Sequence, residues 1–226
     1  MTTQTLRPAN GTTFTVPAGV TSIQIDATGN GGSGGVNTSG QGGGGSGAFS
    51  RVNALSVTPG GTLTINWGTV GTPSNASTPI WISKTGSQPA SVSQGCLVDS
   101  AGAAGNGTTG AGTGGLAANC IGDVKNDGAS GALGSIPQSR GGAGATPGTA
   151  SGPGTAGSGI TGVNGAGSGG TVGVNGTDAT GDGCGGGGGG PGGGTSGAGK
   201  SGFIVLTYTA VVAFPAGFGF GNILGS

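Results

Sequence analysis

Glycine is concentrated where this chain would otherwise need a core. Of its 63 glycines, 39 fall between residues 101 and 200. A residue without a side chain has no apolar surface of its own to bury, so this stretch cannot form an oily interior. Glycine also loses more conformational entropy on ordering than any other residue. Order here requires backbone N–H and C=O groups of closely approaching segments to pair, because buried unpaired groups are costly. Composition alone leaves two readings: a flexible low-complexity chain, or an ordered glycine lattice.

The flanks read as strands. Residues 12–16 alternate around Phe14 and Val16 and reach the turn signal Pro17-Ala-Gly19. In residues 20–28, Ile23, Ile25 and Ala27 share one face, with Ser22, Gln24, Asp26 and Thr28 on the other. Together the two runs predict a hairpin. Residues 48–58 put Phe49, Leu55 and Val57 on one parity, although Arg51 and Asn53 fall there too. After Pro59-Gly60-Gly61, residues 62–67 align Leu63, Ile65 and Trp67. Further strands are predicted at 78–83 and 92–98. Phe203, Ile204, Val205, Leu206 and Tyr208 form an apolar run bounded by glycine, which predicts a central strand buried on both faces. β-branched residues are plentiful and helix-forming stretches are missing.

Within residues 101–200 the pattern is short glycine triplets, as in Gly128-Ala-Ser-Gly131-Ala-Leu-Gly134, Gly162-Val-Asn-Gly165 and Gly173-Val-Asn-Gly176. Polyproline II geometry repeats every three residues and rises ~3.1 Å per residue, and glycine at every third place permits close packing. The phase breaks too often, and the 11 prolines are too few, for a collagen helix. Short extended rods joined by tight turns fit better. The expected fold class is all-β: β-sandwich-like strands from both termini framing a glycine-rich polyglycine II bundle, with almost no helix. Three segments make up one unit: residues 1–100, 101–200 and 201–226.

Several function classes lack their residues. Histidine and glutamate are absent, and six aspartates balance six lysines and arginines. With no basic surplus, neither nucleic acid nor an anionic membrane surface is an expected partner. No apolar run approaches a membrane span, and no leader peptide is visible near Met1. The expectation is a protein made in a cytoplasm without a signal peptide. Serine catalysis has no histidine base, and a zinc site has no histidine or CxxC ligands. Neither a cofactor nor a metal is expected. Gly199-Lys-Ser lacks the spacing and the following helix of a phosphate loop. Cys96 and Cys120 are a candidate disulfide pair; the plainer reading of both, and of Cys184, is a small buried side chain.

Other residues are candidates for contact. Asp123, Lys125, Asn126 and Asp127 cluster in Gly122-Asp-Val-Lys-Asn-Asp-Gly, a turn suited to gripping sugar hydroxyls. As a calcium loop it lacks converging carboxylates, and its plainer reading is structural. Asp178 and Asp182 lie close in sequence, as the carboxylates of a glycosidase can, but no glutamate or aromatic platform accompanies them. Trp81 has the opposite parity to Ile80 and Ile82 and is the better surface aromatic; Trp67, in phase with Leu63 and Ile65, reads as core. Three of six phenylalanines, Phe214, Phe218 and Phe220, lie in the glycine-spaced tail after Thr209, which is either tucked against the sheet or a docking surface.

Three passages carry a resemblance to a known family. They are Phe14-Thr-Val-Pro-Ala-Gly-Val-Thr-Ser-Ile-Gln-Ile-Asp-Ala-Thr-Gly; Gly43-Gly-Gly-Ser-Gly-Ala-Phe-Ser-Arg leading into Leu55-Ser-Val-Thr-Pro-Gly-Gly-Thr-Leu-Thr-Ile-Asn-Trp-Gly; and the glycines of 194–202 leading into Phe203-Ile-Val-Leu-Thr-Tyr. Over roughly residues 12–209 the chain resembles glycine-rich bacteriophage tail-fibre proteins, including the adhesins at fibre tips. The resemblance implies layered polyglycine II rods whose connecting turns carry receptor contacts. It implies a non-enzymatic protein of the virion exterior that attaches to a host receptor, either a glycan or an outer-membrane protein. Other virion proteins, and a homo-oligomer, are the further partners expected. The apolar tail departs from the family and leaves a capsid spike open as well. A second expectation, of another class, is an ice-binding or other glycine-rich structural protein; in the ice-binding case flat glycine bundles present rows of Thr, Ala and Asn.

Overall fold

The computed structural model describes residues 1–35, 41–72, 75–102, 110–134 and 142–210. The described part is all-β, with nine strands: β1 (Thr2–Leu6), β2 (Thr13–Thr15), β3 (Ser22–Thr28), β4 (Phe49–Ser56), β5 (Thr62–Asn66), β6 (Ile80–Ser83), β7 (Gly95–Val98), β8 (Val124–Asn126) and β9 (Phe203–Tyr208). Two single 3₁₀ turns, Pro8–Asn10 and Ala117–Asn119, are the helical content among the described residues. The strands form a five-stranded sheet, β1-β9-β3-β4-β8, and a four-stranded sheet, β2-β5-β6-β7. Every neighbouring pair is antiparallel.

One apolar cluster serves both sheets. Ile23, Ile25, Val52, Leu55, Ile204 and Leu206 from the first meet Phe14, Leu63, Ile65, Ile80, Ile82 and Val98 from the second. Burying side chains of this size is worth about 1.5–3 kcal/mol each.

Three strand expectations need correction. β2 and β3 are not a hairpin: β2 pairs with β5, while β3 lies between β4 and β9. Pro17-Ala-Gly19, with Gly19 at φ +75°, hands the chain from one sheet to the other. β9 is central, as expected, but buried on one face only: Ile204, Leu206 and Tyr208 point inward, while Phe203, Val205 and Thr207 are half-exposed. In β4 the parity conflict resolves as a bulge. Ile25 sits opposite Val52 and Ile23 opposite Leu55, so Asn53 and Ala54 stand against Gln24. The inward parity switches there, and Arg51 and Asn53 stay out of the core.

The glycine stretches form the second half of the molecule. They run as extended rods without strand pairing, and those at the centre are fully buried: Gly42 to Gly45 and Gly185 to Gly190. Around residues 184–190 the geometry repeats every three residues. A Cβ on Gly185 or Gly188 would overlap the carbonyl of Gly44 or Gln41; on Gly186 or Gly189, that of Gly197 or Gly194; on Gly187 or Gly190, that of Ser168 or Thr171. Their amides fill the gaps between: Gly185 and Gly188 donate to Ala145 and Gly142, Gly186 to Gly32, and Gly187 and Gly190 to Thr177 and Val174. Six neighbouring segments thus surround this rod, in the threefold periodicity of an extended helix. Residues 41–47 behave alike: Gly43 and Ser46 donate to Ala132 and Ala129, Gly44 and Gly47 to Gly186 and Gly183.

Asn30 joins the sheets to the rods. Its buried side chain donates to the carbonyls of Trp67 (2.9 Å) and Thr78 (3.3 Å) and accepts from the Gly202 amide (2.9 Å). Its own amide donates to Ser100 Oγ at 3.0 Å. One side chain therefore fixes the exits of β5 and β3 and the entries to β6 and β9.

Candidate attachment surface

The rods give the molecule two ends. Residues 184–190 begin beside the sheets, where Gly183 donates to Ser201 and Gly47 donates to Gly183, and finish where Gly190 donates to Val174. Two turns meet at that far end. Val174 donates back to Thr171, closing the first turn around Gly173 (φ +69°), and Gly173 donates to Pro191 of the second. Gly192 and Gly193, at φ +86° and +103°, take conformations open to glycine. Val172 and Val174 are 63% and 51% exposed, an unusual price in solvation for β-branched apolar side chains on a tip. The turns at 171–174 and 191–194 carry no charge.

The triplets Gly162-Val-Asn-Gly165 and Gly173-Val-Asn-Gly176 therefore supply turns as well as rods. Asn164 is the one described non-glycine residue with positive φ, at +49°, and the Ala166 amide closes that turn onto Val163.

The candidate contact residues lie elsewhere and are dispersed. Lys125 and Asn126 belong to β8, at the edge of the five-stranded sheet, so the segment is a strand rather than a turn. Asp123 accepts the Asn53 amide at 2.8 Å and Asp127 the Ala117 amide at 2.6 Å. Asn126 donates to the Thr149 carbonyl at 2.7 Å, and Lys125 reaches the Cys120 carbonyl at 3.4 Å. These side chains terminate backbone groups around β8. Trp81 lies on β6, half-buried, opposite Leu97 and turned from the core that holds Ile80 and Ile82. Trp67 is only partly buried against that core, its indole donating to the Gly11 carbonyl at 2.6 Å. Phe214, Phe218 and Phe220 lie outside the described residues.

Asp178 and Asp182 do not act as a pair. Asp178 accepts the Ala198 amide at 2.7 Å, whereas Asp182 binds Arg7 at 2.6 Å and approaches Lys200 at 3.7 Å. On the outer face of the five-stranded sheet, Arg51 grips Asp26 with two nitrogens at 2.6 and 2.5 Å, and that hydrogen bond raises the Arg51 pKa. Among the described residues no group of three or more potential ligand side chains is placed to hold a metal ion.

All three cysteines are free and buried, so the Cys96–Cys120 link is not formed. Each sulfur has separate backbone partners: Cys96 points to the Ser50 carbonyl at 3.7 Å, and Cys120 accepts the Asp99 amide at 3.3 Å and faces the Leu116 carbonyl at 3.4 Å. Burial pushes the Cys96 thiol up to about 12 and those of Cys120 and Cys184 up to about 11. Such thiols are poor nucleophiles at neutral pH.

Sequence reasoning missed Asn30, Val172 and Val174. Asn30 could have been flagged as the lone amide between β3 and the glycine block that follows it. The valines had a signal too, as apolar residues between glycines with no strand around them. No protein-family model matches the chain, and no curated protein matches its sequence.

Proposed function

We propose that this chain is a non-enzymatic component of a bacteriophage virion exterior, a tail-fibre, fibre-tip or spike protein that binds a host-surface receptor. The observation carrying the reading is the rod at residues 184–190, enclosed on six sides by backbone and ending at two exposed, uncharged turns. We read these rods as polyglycine II. A pillar without interior side chains holds its turns rigidly, and changes to the exposed side chains of Val172 and Val174 leave the pillar's packing untouched. The residues that meet the receptor are then Val172, Val174, Pro191 and their neighbours. An uncharged tip fits a neutral glycan or an apolar loop of an outer-membrane protein better than a phosphate-rich surface. The sheets, at the opposite end, are the side for other virion proteins.

Mass spectrometry of purified particles and binding of the purified protein to host envelope fractions test this together. The expected result is presence in the particle and saturable binding that Val172→Asp with Val174→Asp abolishes. Absence from particles, together with no binding to any envelope fraction, would remove the reading.

A second reading, ice binding, draws on the exposed Thr177, Thr180 and Thr195 on the flank of the rods. Thr177 turns toward Ser168, whereas Asp178 turns toward Ala198 on the side of Thr195, so the threonines do not make one flat row. A thermal-hysteresis measurement separates the two, with no hysteresis expected.

A further inference from the structure

Among the described residues, four strands stand at the edges of the two sheets, and three of those edges are closed or broken. β7 is bridged along its outer side by Ile121. β2 and β8 are three residues long; Pro17 follows the first, and Asp123, Lys125 and Asp127 charge the second. β1 has none of these protections. Its residues, Thr-Thr-Gln-Thr-Leu, include no charge, proline or glycine, and Thr2 to Thr5 are exposed.

Alternation within the sheet fixes which β1 groups point outward. Thr21 accepts from Val57 and Gly29 donates to Ala48, so the odd residues of β3 turn their backbone groups to β4 and the even ones to β9. Through the pairs Gln24–Thr207, Asp26–Val205 and Thr28–Phe203, the odd residues of β9 face β3. Ile204, Leu206 and Tyr208 then face β1 and bond Leu6, Gln4 and Thr2. The N–H and C=O groups of Thr3 and Thr5 point away from the sheet. Those of Arg7 do too, but Asn10 takes both: the Arg7 amide donates to Asn10 Oδ1 at 2.7 Å, and the Arg7 carbonyl accepts the Asn10 amide at 2.8 Å. Thr3 and Thr5 have no such local partner among the described residues.

We propose that β1 is a homodimer interface, pairing antiparallel with β1 of a second copy across a twofold axis. The strand is self-complementary when that axis passes beside Gln4. Thr3 then stands opposite the partner's Thr5, and Thr5 opposite the partner's Thr3. These are the residues whose groups point outward, so each N–H meets a C=O. An axis at Thr5 would set Thr3 against Arg7, whose groups Asn10 already holds, and an axis at Thr3 would set Thr5 against Met1, beyond β1. Threonine opposite threonine is a favourable cross-strand pair. Two uncharged edges meet without repulsion, and a formal net charge of zero adds none at long range. The contact uses β1 of both copies, so it closes at two. It lies on the sheet half, away from the turns at 171–174 and 191–194, and does not depend on what those turns bind.

Sedimentation equilibrium on the full chain, taken to millimolar concentration because one strand pair is a small contact, reads the dimer. The intact chain should show a monomer–dimer equilibrium. Thr3→Lys with Thr5→Lys sets like charges opposite each other and should abolish it. Thr3→Lys with Thr5→Asp sets lysine opposite aspartate in this register alone and should restore it. Gln4→Cys brings two thiols together at the axis, with Cα atoms about 4.5 Å apart as in a non-hydrogen-bonded pair. Air oxidation should link that variant into a covalent dimer, and should not link Thr2→Cys, which lies off the axis. If circular dichroism finds a lysine variant unfolded, the two cysteine variants decide. An intact chain that stays monomeric, or a dimer indifferent to the paired lysines, would overturn the proposal. So would slow exchange of the Thr3 and Thr5 amides in a monomer, which would put another segment of the same chain on this edge.

Discussion

At the scale of single residues, two of the described glycines mark opposite extremes. A Cβ at Gly187 would overlap the Ser168 carbonyl, and the neighbouring backbone is hydrogen-bonded on every side. Gly187→Ala is expected to destabilise the fold by about 3 kcal/mol or more, the upper range for overpacking, because backbone cannot switch rotamer to make room. Gly152 meets nothing within 4 Å and has no positive φ. Gly152→Ala should be neutral or stabilising by about 0.5 kcal/mol, through the unfolded state. Denaturant melts of both variants check the contrast. Asn30→Ala orphans the Gly202 amide and two carbonyls in the interior. A loss of about 3 kcal/mol is expected in the same melts, and Asn30→Asp should not restore it, since a carboxylate cannot donate to Trp67 and Thr78.

Among elements, the rods sort by composition. Uninterrupted glycine, at 42–45 and 185–190, marks rods that touch neighbours in all directions. A rod with glycine at every third place faces inward on one side only. Gly128 and Gly131 meet the rod at 41–47, and Gly154 and Gly157 meet Thr146 and Ala143, while Leu133 and Thr155 point outward. The broken glycine phase is thus each rod's position written into the chain. Hydrogen exchange should find the amides of residues 185–190 among the slowest, at the global unfolding limit, and that of Ser151 in the turn at 149–152 among the fastest. Much of this was legible in the sequence. Alternation gave β3, β5 and β6 because each has one wet face. β1 was not legible: Thr2 to Thr5 are polar and exposed, and this edge strand is held by its ladder to β9 rather than by burial. β8, three residues long, is held in the same way against β4. The segment at 123–127 allowed two readings, contact or structure, for a related reason. A polar cluster looks alike whether its side chains meet a ligand or satisfy backbone groups, and here they do the second.

For the whole molecule, pH is one handle. The buried thiols titrate near 9 when exposed and near 11 to 12 when folded, because burial disfavours the thiolate. Between those values the unfolded chain binds fewer protons than the folded one, so stability falls as pH rises. Cys96 alone contributes about 1.4 kcal/mol per pH unit through that window. Chemical denaturation from pH 8 to 11 should show this alkaline loss, and Cys96→Ala should reduce it. Below pH 8 the thiols contribute no slope.

A lattice interior also bears on temperature. Melting residues 184–190 and their neighbours hydrates peptide groups rather than hydrocarbon, and peptide hydration lowers heat capacity where hydrocarbon hydration raises it. Calorimetry should therefore give a heat-capacity increment below the ~12–15 cal/mol/K per residue of ordinary domains. The curve of free energy against temperature then flattens. A protein built this way keeps its shape nearly as well in cold water as in warm.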